Sequence, residues 1–275
     1  GRLMISSSSV EMGQGASTTL AQIAADATGV PLDQVDVPFP DTACAPYDLK
    51  TAASRTTFTM GSAIRAAAAE LAAALSRLAA KHRDCESGDY RRLLALEGLP
   101  EVVVDGVYQS RDGLATLDER GQGNAADHWH QGAVGVEVEV DTETGRLTVL
   151  RCHAVAYAGR MVSPPRVRQQ NEGSAIFGLG QTLFEEVVFD HGYAVNPNLS
   201  EYMIPSILDI PADLTSSAVE SPDPAAELYG VGEMAVPPMA PAIANALFQA
   251  TGVRVRTLPL TPERVLRALL GAPES

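Results

Sequence analysis

Three short segments of this 275-residue chain combine residue types that can hold a ligand or catalyse a reaction. Gly13-Gln14-Gly15 sets an amide between two glycines, so the backbone can approach a ligand closely and the amide can hydrogen-bond to it. Ala53-Ser54-Arg55 lies among threonines, and hydroxyls beside a guanidinium suit a phosphate or pyrophosphate. Gly232-Glu233 sets a carboxylate on a glycine-rich turn, where it could act as a general base. Taken alone, each segment also fits a structural role, as a turn, a polar loop or an exposed loop residue.

Two further groups of polar residues are weaker candidates. Gln170 lies between Gln169 and Asn171 on a predicted helix, where amides could read the edge of a heterocycle or simply face solvent. His128 and His130 flank the only tryptophan and would share one face of a strand, where a metal could bind. No third ligand follows at a matching spacing, so we interpret both histidines as surface or interface residues.

The elements that must position these residues alternate between helices and hairpins, which indicates an α+β fold. Alternating valines and polar residues from 134 to 141, then the turn DTETG and a second apolar run, predict a hairpin. Asp105-Gly106 predicts a second, shorter hairpin over residues 101–109. Glycines at helix ends, capping residues and apolar spacing predict the helices. We place the first from a cap at Ser17, Thr18 or Thr19 to Gly29, and the others at residues 66–80, 166–185 and 240–251 and from Thr261 onward.

Composition and charge exclude several classes of protein. The chain is 45% hydrophobic and 20% charged, which is typical of a folded globular protein rather than a disordered one. Its formal net charge of −14 argues against sequence-independent binding of nucleic acid. The three cysteines, Cys44, Cys85 and Cys152, are far apart and suit a reducing compartment such as the cytoplasm. Charged residues interrupt the most apolar helical stretch, residues 61–80, so no membrane span is predicted.

The order of these segments along the chain resembles the molybdenum-cofactor subunit of the xanthine dehydrogenase/aldehyde oxidoreductase family. The resemblance runs from about residue 3 to 270, and its most specific part is the ending that begins GVGEMAVPPMAP. It implies the C-terminal half of the molybdopterin-binding subunit, an α+β fold of mixed sheets with packed helices. Residues 1–275 would form this half, as two α/β subdomains meeting near residues 110–130. The motifs that carry the resemblance are EMGQGASTTLAQIAADATGVPLDQVDV, DTACAP, TAASRTT, VEVEVDTETGRL, QQNEGSAIFGLGQTLFEE and GVGEMAVPPMAPAIANALFQATGVRVRTLPLTPERVL.

The resemblance assigns roles to residues that match the family's motifs. Glu233 matches the catalytic glutamate, which accepts the proton of a molybdenum-bound hydroxyl or water so that this oxygen can attack an electrophilic carbon. Hydride then passes to the sulfido ligand of the molybdenum. Molybdenum is held by the pterin, so no direct protein ligand to the metal is expected. The residues that match cofactor-binding segments are Gly13, Gln14, Gly15, Ala53, Ser54, Arg55, Gln170 and Gly232.

The resemblance also implies cofactors and partners. The cofactor would be molybdopterin, in its cytosine dinucleotide form, with molybdenum. A second glutamine-glycine motif and a substrate-facing loop, both found in the first half of such subunits, do not occur in this sequence. We therefore expect a larger partner that supplies that half, a subunit with [2Fe–2S] clusters and an FAD subunit, although the chain could equally be a piece of a longer polypeptide. The substrate would be an N-heteroaromatic ring or an aldehyde. A molybdenum subunit split into two polypeptides resembles the nicotinate-dehydrogenase-like members of the family, which slightly favours the heteroaromatic class.

The sequence departs from the family's pattern at three places, and two of the departures, Tyr229 and Tyr157, support a competing hypothesis. Tyr229 stands where the family usually has a lysine, Tyr157-Ala158-Gly159 replaces its Asp-x-Gly, and Ser163-Pro164 replaces its Asn-Pro. The alternative is a non-catalytic homologue that binds the cofactor or assists assembly. The intact Gly13-Gln14-Gly15 and Gly232-Glu233 favour the catalytic interpretation.

Overall fold

A computed structural model describes residues 1–110 and 116–272 of the chain and confirms the predicted α+β architecture. The chain divides into two units that interleave along the sequence. The first unit contains residues 1–129, 159–163 and 223–230, and the second contains residues 130–158, 164–222 and 231–275. The helices are α1 (Ala16–Thr28), α2 (Thr56–Ala79), α3 (Tyr90–Glu97), α4 (Pro164–Leu183), α5 (Val236–Thr251) and α6 (Pro262–Leu269). The strands are β1 (Leu3–Met4), β2 (Val35–Asp36), β3 (Gly132–Val140), β4 (Leu147–Gly159), β5 (Phe189–Asp190), β6 (Tyr193–Ala194) and β7 (Asp213–Glu220).

The first unit is built on the pair of helices α1 and α2. Apolar residues of α1 face the core and the helix ends at Gly29, whose left-handed φ of 73° suits glycine. Strands β1 and β2 pair in parallel beside α1. At the far end of α2, Glu97 of α3 accepts hydrogen bonds from Lys81 and pairs with His82. The buried residues of this core are Leu20, Ile23, Ala24, Val35, Ile64 and Leu228.

The second unit packs helices against a three-stranded sheet with the strand order β3-β4-β7. The predicted hairpin is confirmed as the antiparallel pair β3–β4, with Val134 opposite Ala154 and Val140 opposite Leu147. The valines of β3 turn toward the core, whereas its glutamates are exposed. Helices α4 and α5 bury their apolar side chains together with this face of the sheet, including the fully buried Met239, Ile243 and Leu247.

The starts of three helices and one hairpin differ from the sequence-based expectation. Helix α1 begins at Ala16 after Gly15, without a side-chain cap, so the predicted capping serine or threonines lie inside the helix. Helix α2 begins at Thr56, well before residue 66, and α5 begins at Val236 rather than at 240. Prolines 237 and 238 occupy the first turn of α5, where a missing N–H breaks no helical hydrogen bond. The hairpin predicted around Asp105-Gly106 is wrong, because residues 101–110 contain neither a turn nor a β-ladder.

Close approach of α4 and α5 depends on Gly178. A Cβ atom there would lie 2.6 Å from Cβ of Met239, whereas a Cβ atom at Gly173 of the same helix would meet nothing within 4 Å. Gly178→Ala therefore overpacks the core, which costs about 1–3 kcal/mol, while Gly173→Ala gains helix propensity. We expect G178A to melt roughly 3–10 °C below G173A in thermal denaturation followed by circular dichroism. Equal melting temperatures would show that α5 moves aside without cost.

The reactivity of the Cys152 thiol measures whether the core of the second unit is folded. Cys152 lies on β4 with 2% of its surface exposed, and burial raises the pKa of its thiol from 9.0 to about 11. At pH 8 the exposed Cys44 should react rapidly with a thiol reagent, whereas Cys152 should react only after unfolding. Between pH 9 and 11 the Cys152 thiol keeps its proton in the folded state but loses it in the unfolded state. The contribution of Cys152 to the free energy of unfolding therefore falls as the pH rises from 9 to 11. Mass spectrometry of labelled peptides measures the labelling of Cys44 and Cys152. Prompt labelling of Cys152 at pH 8 would contradict its burial.

Candidate functional site

The Gly13-Gln14-Gly15 loop is closed by the carboxylate of Glu11. The backbone N–H groups of Gly13 and Gly15 each donate to Oε1 of Glu11 at 2.9 Å, and that of Ser17 donates to Oε2 at 3.0 Å. These amides include donors at the start of α1, a position that favours negative charge. Gly13 and Gly15 adopt left-handed φ values of 96° and 82°, so both positions favour glycine. Glu11, which sequence reasoning did not single out, therefore shapes this loop.

The side chain of Gln14 completes the same loop. Its Oε1 accepts a hydrogen bond from the Met12 N–H at 2.6 Å, and its Nε2 donates to the Val10 carbonyl at 2.8 Å. Val10 in turn donates its N–H to the hydroxyl of Thr51 at 2.9 Å. The predicted segments at 13–15 and 51–57 are thus linked within the first unit through Val10 and Thr51.

Ala53 and Ser54 form a strained backbone segment. Their φ values are 58° and 52°, a left-handed conformation that residues with a Cβ rarely adopt. Consecutive residues of this kind persist only where the surroundings hold them, and such strain concentrates at functional sites. Gly230 packs directly against this segment, since a Cβ there would lie 1.9 Å from the carbonyl oxygen of Ser54.

The guanidinium of Arg55 is directed toward its own loop. Nη1 donates to both carboxylate oxygens of Asp48, at 2.7 and 2.9 Å, and to the Lys50 carbonyl at 2.7 Å. Both side chains of the ion pair are largely buried, at 22% and 15% exposure. Arg55 therefore fixes the loop over residues 48–55, which the sequence did not indicate because Asp48 is seven positions away.

Glu233 lies in the second unit, on the turn that leads into α5. The turn spans residues 232–235, and the Glu233 side chain is exposed. Ser174 of α4, itself 1% exposed, accepts the backbone N–H of Ala235 at 2.8 Å. Glu233 therefore lies on a turn that Ser174 anchors to α4.

Asn171 and Gln170 are neighbours on α4 with different surroundings. Asn171 is buried, and its Nδ2 donates to the carbonyl oxygens of Ala154 and Ser217 at 3.0 and 3.4 Å. It therefore ties α4 to β4 and β7, a structural role rather than the reading of a heterocycle. Gln170 is half-buried on the same helix.

Two buried hydroxyls were not among the sequence-based candidates. Oγ of Ser8 and Oγ of Ser9 are buried and have no hydrogen-bond partner among the residues that the structure describes. They lie directly before the residues that form the Gly13–Gly15 loop. A run of four serines after an apolar residue was the only available signal, and it is typical of many polar segments.

Tyr229 belongs to an aromatic cluster in the first unit. Its ring stacks on that of His128 at a centroid distance of 5.0 Å and on Phe58 at 5.7 Å, and Tyr108 meets Phe58 edge-on at 5.2 Å. The cluster gives a packing reason for an aromatic residue at position 229. Within residues 1–110 and 116–272, no group of three or more His, Cys, Asp or Glu side chains is placed to hold a metal ion.

Comparison with known proteins identifies the family. The sequence profile of the molybdopterin cofactor-binding domain matches residues 1–211. The chain belongs to this family. It is similar to the xanthine dehydrogenase molybdenum-binding subunit of Escherichia coli O157:H7, at 32% identity over 96% of this chain and 37% of that protein. The resemblance read from the sequence is therefore confirmed.

Solved structures agree with this assignment to the molybdopterin cofactor-binding domain. The aldehyde oxidoreductase of Desulfovibrio gigas is 28% identical, with a TM-score of 0.83 over 98% of this chain and 29% of that one. The quinoline 2-oxidoreductase of Pseudomonas putida 86 is also 28% identical, with a TM-score of 0.75 over 99% of this chain and 37% of that one. This chain thus spans little more than a third of the length of its curated relatives.

The first unit of this molybdopterin cofactor-binding domain carries groups that fit a polar ligand. The hydroxyls of Ser8 and Ser9 can each donate one hydrogen bond and accept others. A Cβ at Gly13 would meet nothing within 4 Å, so the loop is open on that side. Hydroxyl donors without a partner among the described residues, followed four residues later in the chain by an open glycine, are groups that the ring nitrogens and phosphate oxygens of a pterin cofactor can use.

Proposed function

We propose that this chain supplies part of the cofactor site of a molybdenum hydroxylase that oxidises an N-heteroaromatic ring or an aldehyde. The match to the molybdopterin cofactor-binding domain over residues 1–211 carries the proposal. The substrate classes follow the names of its relatives, which act on xanthine, aldehydes and quinoline. Oxygen in the product would come from water.

When bound, the molybdenum cofactor accepts two electrons from the substrate. The protein's own contribution at that step is proton transfer, for which we propose Glu233. Its carboxylate would accept a proton from the water that supplies the oxygen, and the anchored turn over residues 232–235 would hold it in place. Because Glu233 is exposed in this chain, the polypeptide that completes the site would exclude water from the reacting carbon, and a dry site strengthens such polar interactions.

Two groups of residues would bind the cofactor, and each is supported by its own local geometry. In the first unit, Gly13 and Gly15 allow close approach, Ser54 offers a hydroxyl from a constrained loop, and Arg55 keeps that loop in shape through Asp48. In the second unit, Gln170 offers a side-chain amide and Gly232 offers the backbone beside Glu233. The remaining members of the proposed set are Gln14 and Ala53. We further propose the cytosine dinucleotide form of molybdopterin.

The proposed enzyme requires other polypeptide. A larger part of the molybdenum subunit would complete the site, and partners with [2Fe–2S] clusters and FAD would carry the electrons away. The three free cysteines are compatible with a reducing compartment, and we propose the cytoplasm. None of the helices in the described part of the chain is long and apolar enough to span a bilayer.

Elemental analysis and substrate reduction of the native assembly test this function. Molybdenum and iron should co-purify with the chain, and an aldehyde or an N-heteroaromatic compound such as a purine should bleach the iron–sulfur absorbance. The competing candidate, a non-catalytic cofactor-binding or assembly homologue, is favoured by Tyr229, whose ring is engaged in aromatic packing at the usual lysine position. Molybdenum without bleaching by any tested substrate would support that candidate instead.

A further inference from the structure

Residues 101–110 form an extended segment whose role the proposed function does not explain. The exposure of its side chains alternates strictly: every odd-numbered residue is exposed and every even-numbered residue is half-buried. A period of two is the signature of a β-strand with one packed face. The segment nevertheless forms no β-bridge with any residue that the structure describes.

The packed face of this segment is fixed on helix α2. A Cβ atom at Gly106 would lie 2.0 Å from the carbonyl oxygen of Ala63 and 2.7 Å from Cβ of Ala67. Only glycine lets an extended backbone approach a helix this closely. Two residues on, the ring of Tyr108 meets that of Phe58 edge-on. The segment is therefore fixed on α2 at residues 106 and 108, and its other even-numbered residues are half-buried.

The backbone edges of this segment are open over residues 101–107. No hydrogen bond joins their N–H or C=O groups to the described remainder of the chain. An extended strand directs these groups alternately to its two edges, so an unpaired strand is a template for another. Because α2 already holds the strand extended, a partner would bind without the cost of straightening it.

The exposed face specifies the chemistry of the partner. Glu101 and Asp105 alternate with Val103 and Val107, which are 75% and 72% exposed. Neither lysine nor arginine occurs in residues 101–110. Side chains of opposite charge or matching apolar character stabilise paired strands, whereas like charges destabilise them. The fitting partner is a strand with basic and apolar side chains on its outer face.

A second copy of this chain fits that requirement poorly. Antiparallel pairing of the segment with itself about its centre would set Asp105 opposite Asp105. The curated relatives offer another source, since more than three fifths of their length lies outside the region that this chain matches. In those proteins the matched region and the remainder belong to a single polypeptide.

We propose that residues 101–107 pair with a β-strand from the polypeptide that corresponds to the remainder of the relatives' molybdenum subunit. This partner completes a sheet on α2 by main-chain hydrogen bonds, whether it belongs to the same chain or to another subunit. The inference rests on the proposed function only for the identity of the partner polypeptide. The open, acidic strand on α2 is a property of this chain alone.

Hydrogen exchange and zero-length cross-linking of the native assembly test the pairing. Amides of residues 101–107 should exchange about tenfold or more slowly than in an unstructured peptide of this sequence. A carbodiimide should join Glu101 or Asp105 to lysines of the partner polypeptide, outside residues 1–275. Unprotected amides would overturn the proposal, as would cross-links only to this chain's own lysines, Lys50 and Lys81.

A charge-reversal variant tests the specified chemistry. Asp105→Lys should weaken association with the partner roughly threefold to tenfold, whereas the matched control Asp105→Asn should have a smaller effect. Equal affinity of D105K and the unaltered chain would contradict the basic partner face. Molybdenum content measured on the same preparations separates the two proposals: a paired strand without molybdenum refutes the function alone, and molybdenum with an unpaired strand refutes the pairing alone.

Discussion

Replacing Glu233 by glutamine should lower the turnover number of the complete enzyme by roughly two or more orders of magnitude, the scale of lost general-base catalysis. Glutamine keeps the shape of the side chain but cannot accept the proton. The side chain is exposed on its turn, and the turn is held through the Ala235 backbone, so folding should be unchanged. Steady-state kinetics with an aldehyde and with a purine measure the effect.

The matched control for this variant is Glu143→Gln. Glu143 is likewise exposed and lies in the β3–β4 turn, where its backbone rather than its side chain is engaged. Molybdenum and pterin content should be the same in E233Q, E143Q and the unaltered enzyme, with turnover reduced only in E233Q. Near-normal turnover of E233Q would remove Glu233 from the mechanism.

Gly230→Ala should strongly destabilise the first unit. The added Cβ would lie 1.9 Å from the Ser54 carbonyl oxygen and 2.8 Å from its carbonyl carbon, and both atoms are backbone. Ala53 and Ser54 are already strained, so the loop has little freedom to retreat. We expect a loss of about 3 kcal/mol in the free energy of unfolding, or roughly 6–12 °C in melting temperature.

The same variant should lose cofactor, because Ser54 would leave its position. Gly88→Ala is the control: Gly88 is also in the first unit, its φ is not left-handed, and an added Cβ would meet nothing within 4 Å. Pterin content, measured by fluorescence after oxidation, should fall in G230A and be retained in G88A. A G230A protein with full pterin content and normal melting would show that the loop at 53–54 accommodates the added methyl group without loss, contrary to this prediction.

Sequence patterns correctly predicted the elements whose defining residues lie within a few positions of one another. The alternating valines of β3 and the DTETG turn predicted the hairpin, and Thr261 caps α6 as its position before Pro262 indicated. The Asp105-Gly106 pair led to a wrong hairpin prediction because Gly106 allows close contact with α2, whose contacting residues lie some forty positions earlier in the chain. A turn signal is local, whereas the reason for that glycine is tertiary.

The candidate site shows the same limit. Residue types and order pointed to segments around Gln14, Ser54 and Glu233, yet not to the side chains that hold them. Glu11 and Asp48 contact those segments through their carboxylates, and carboxylates are too common in any sequence for these two to be singled out. Ser174 is separated from Ala235 by sixty-one positions, so only the folded structure relates them.

The interleaving of the two units has a consequence for synthesis on the ribosome. The chain passes between the units five times, and Leu228 belongs to the core that Leu20 and Ile64 begin. The first unit therefore lacks part of its core until residue 228 has left the exit tunnel, by which time much of the second unit has already emerged. The two units therefore cannot fold one after the other as the chain emerges. A single proteolytic cut also cannot release either unit whole.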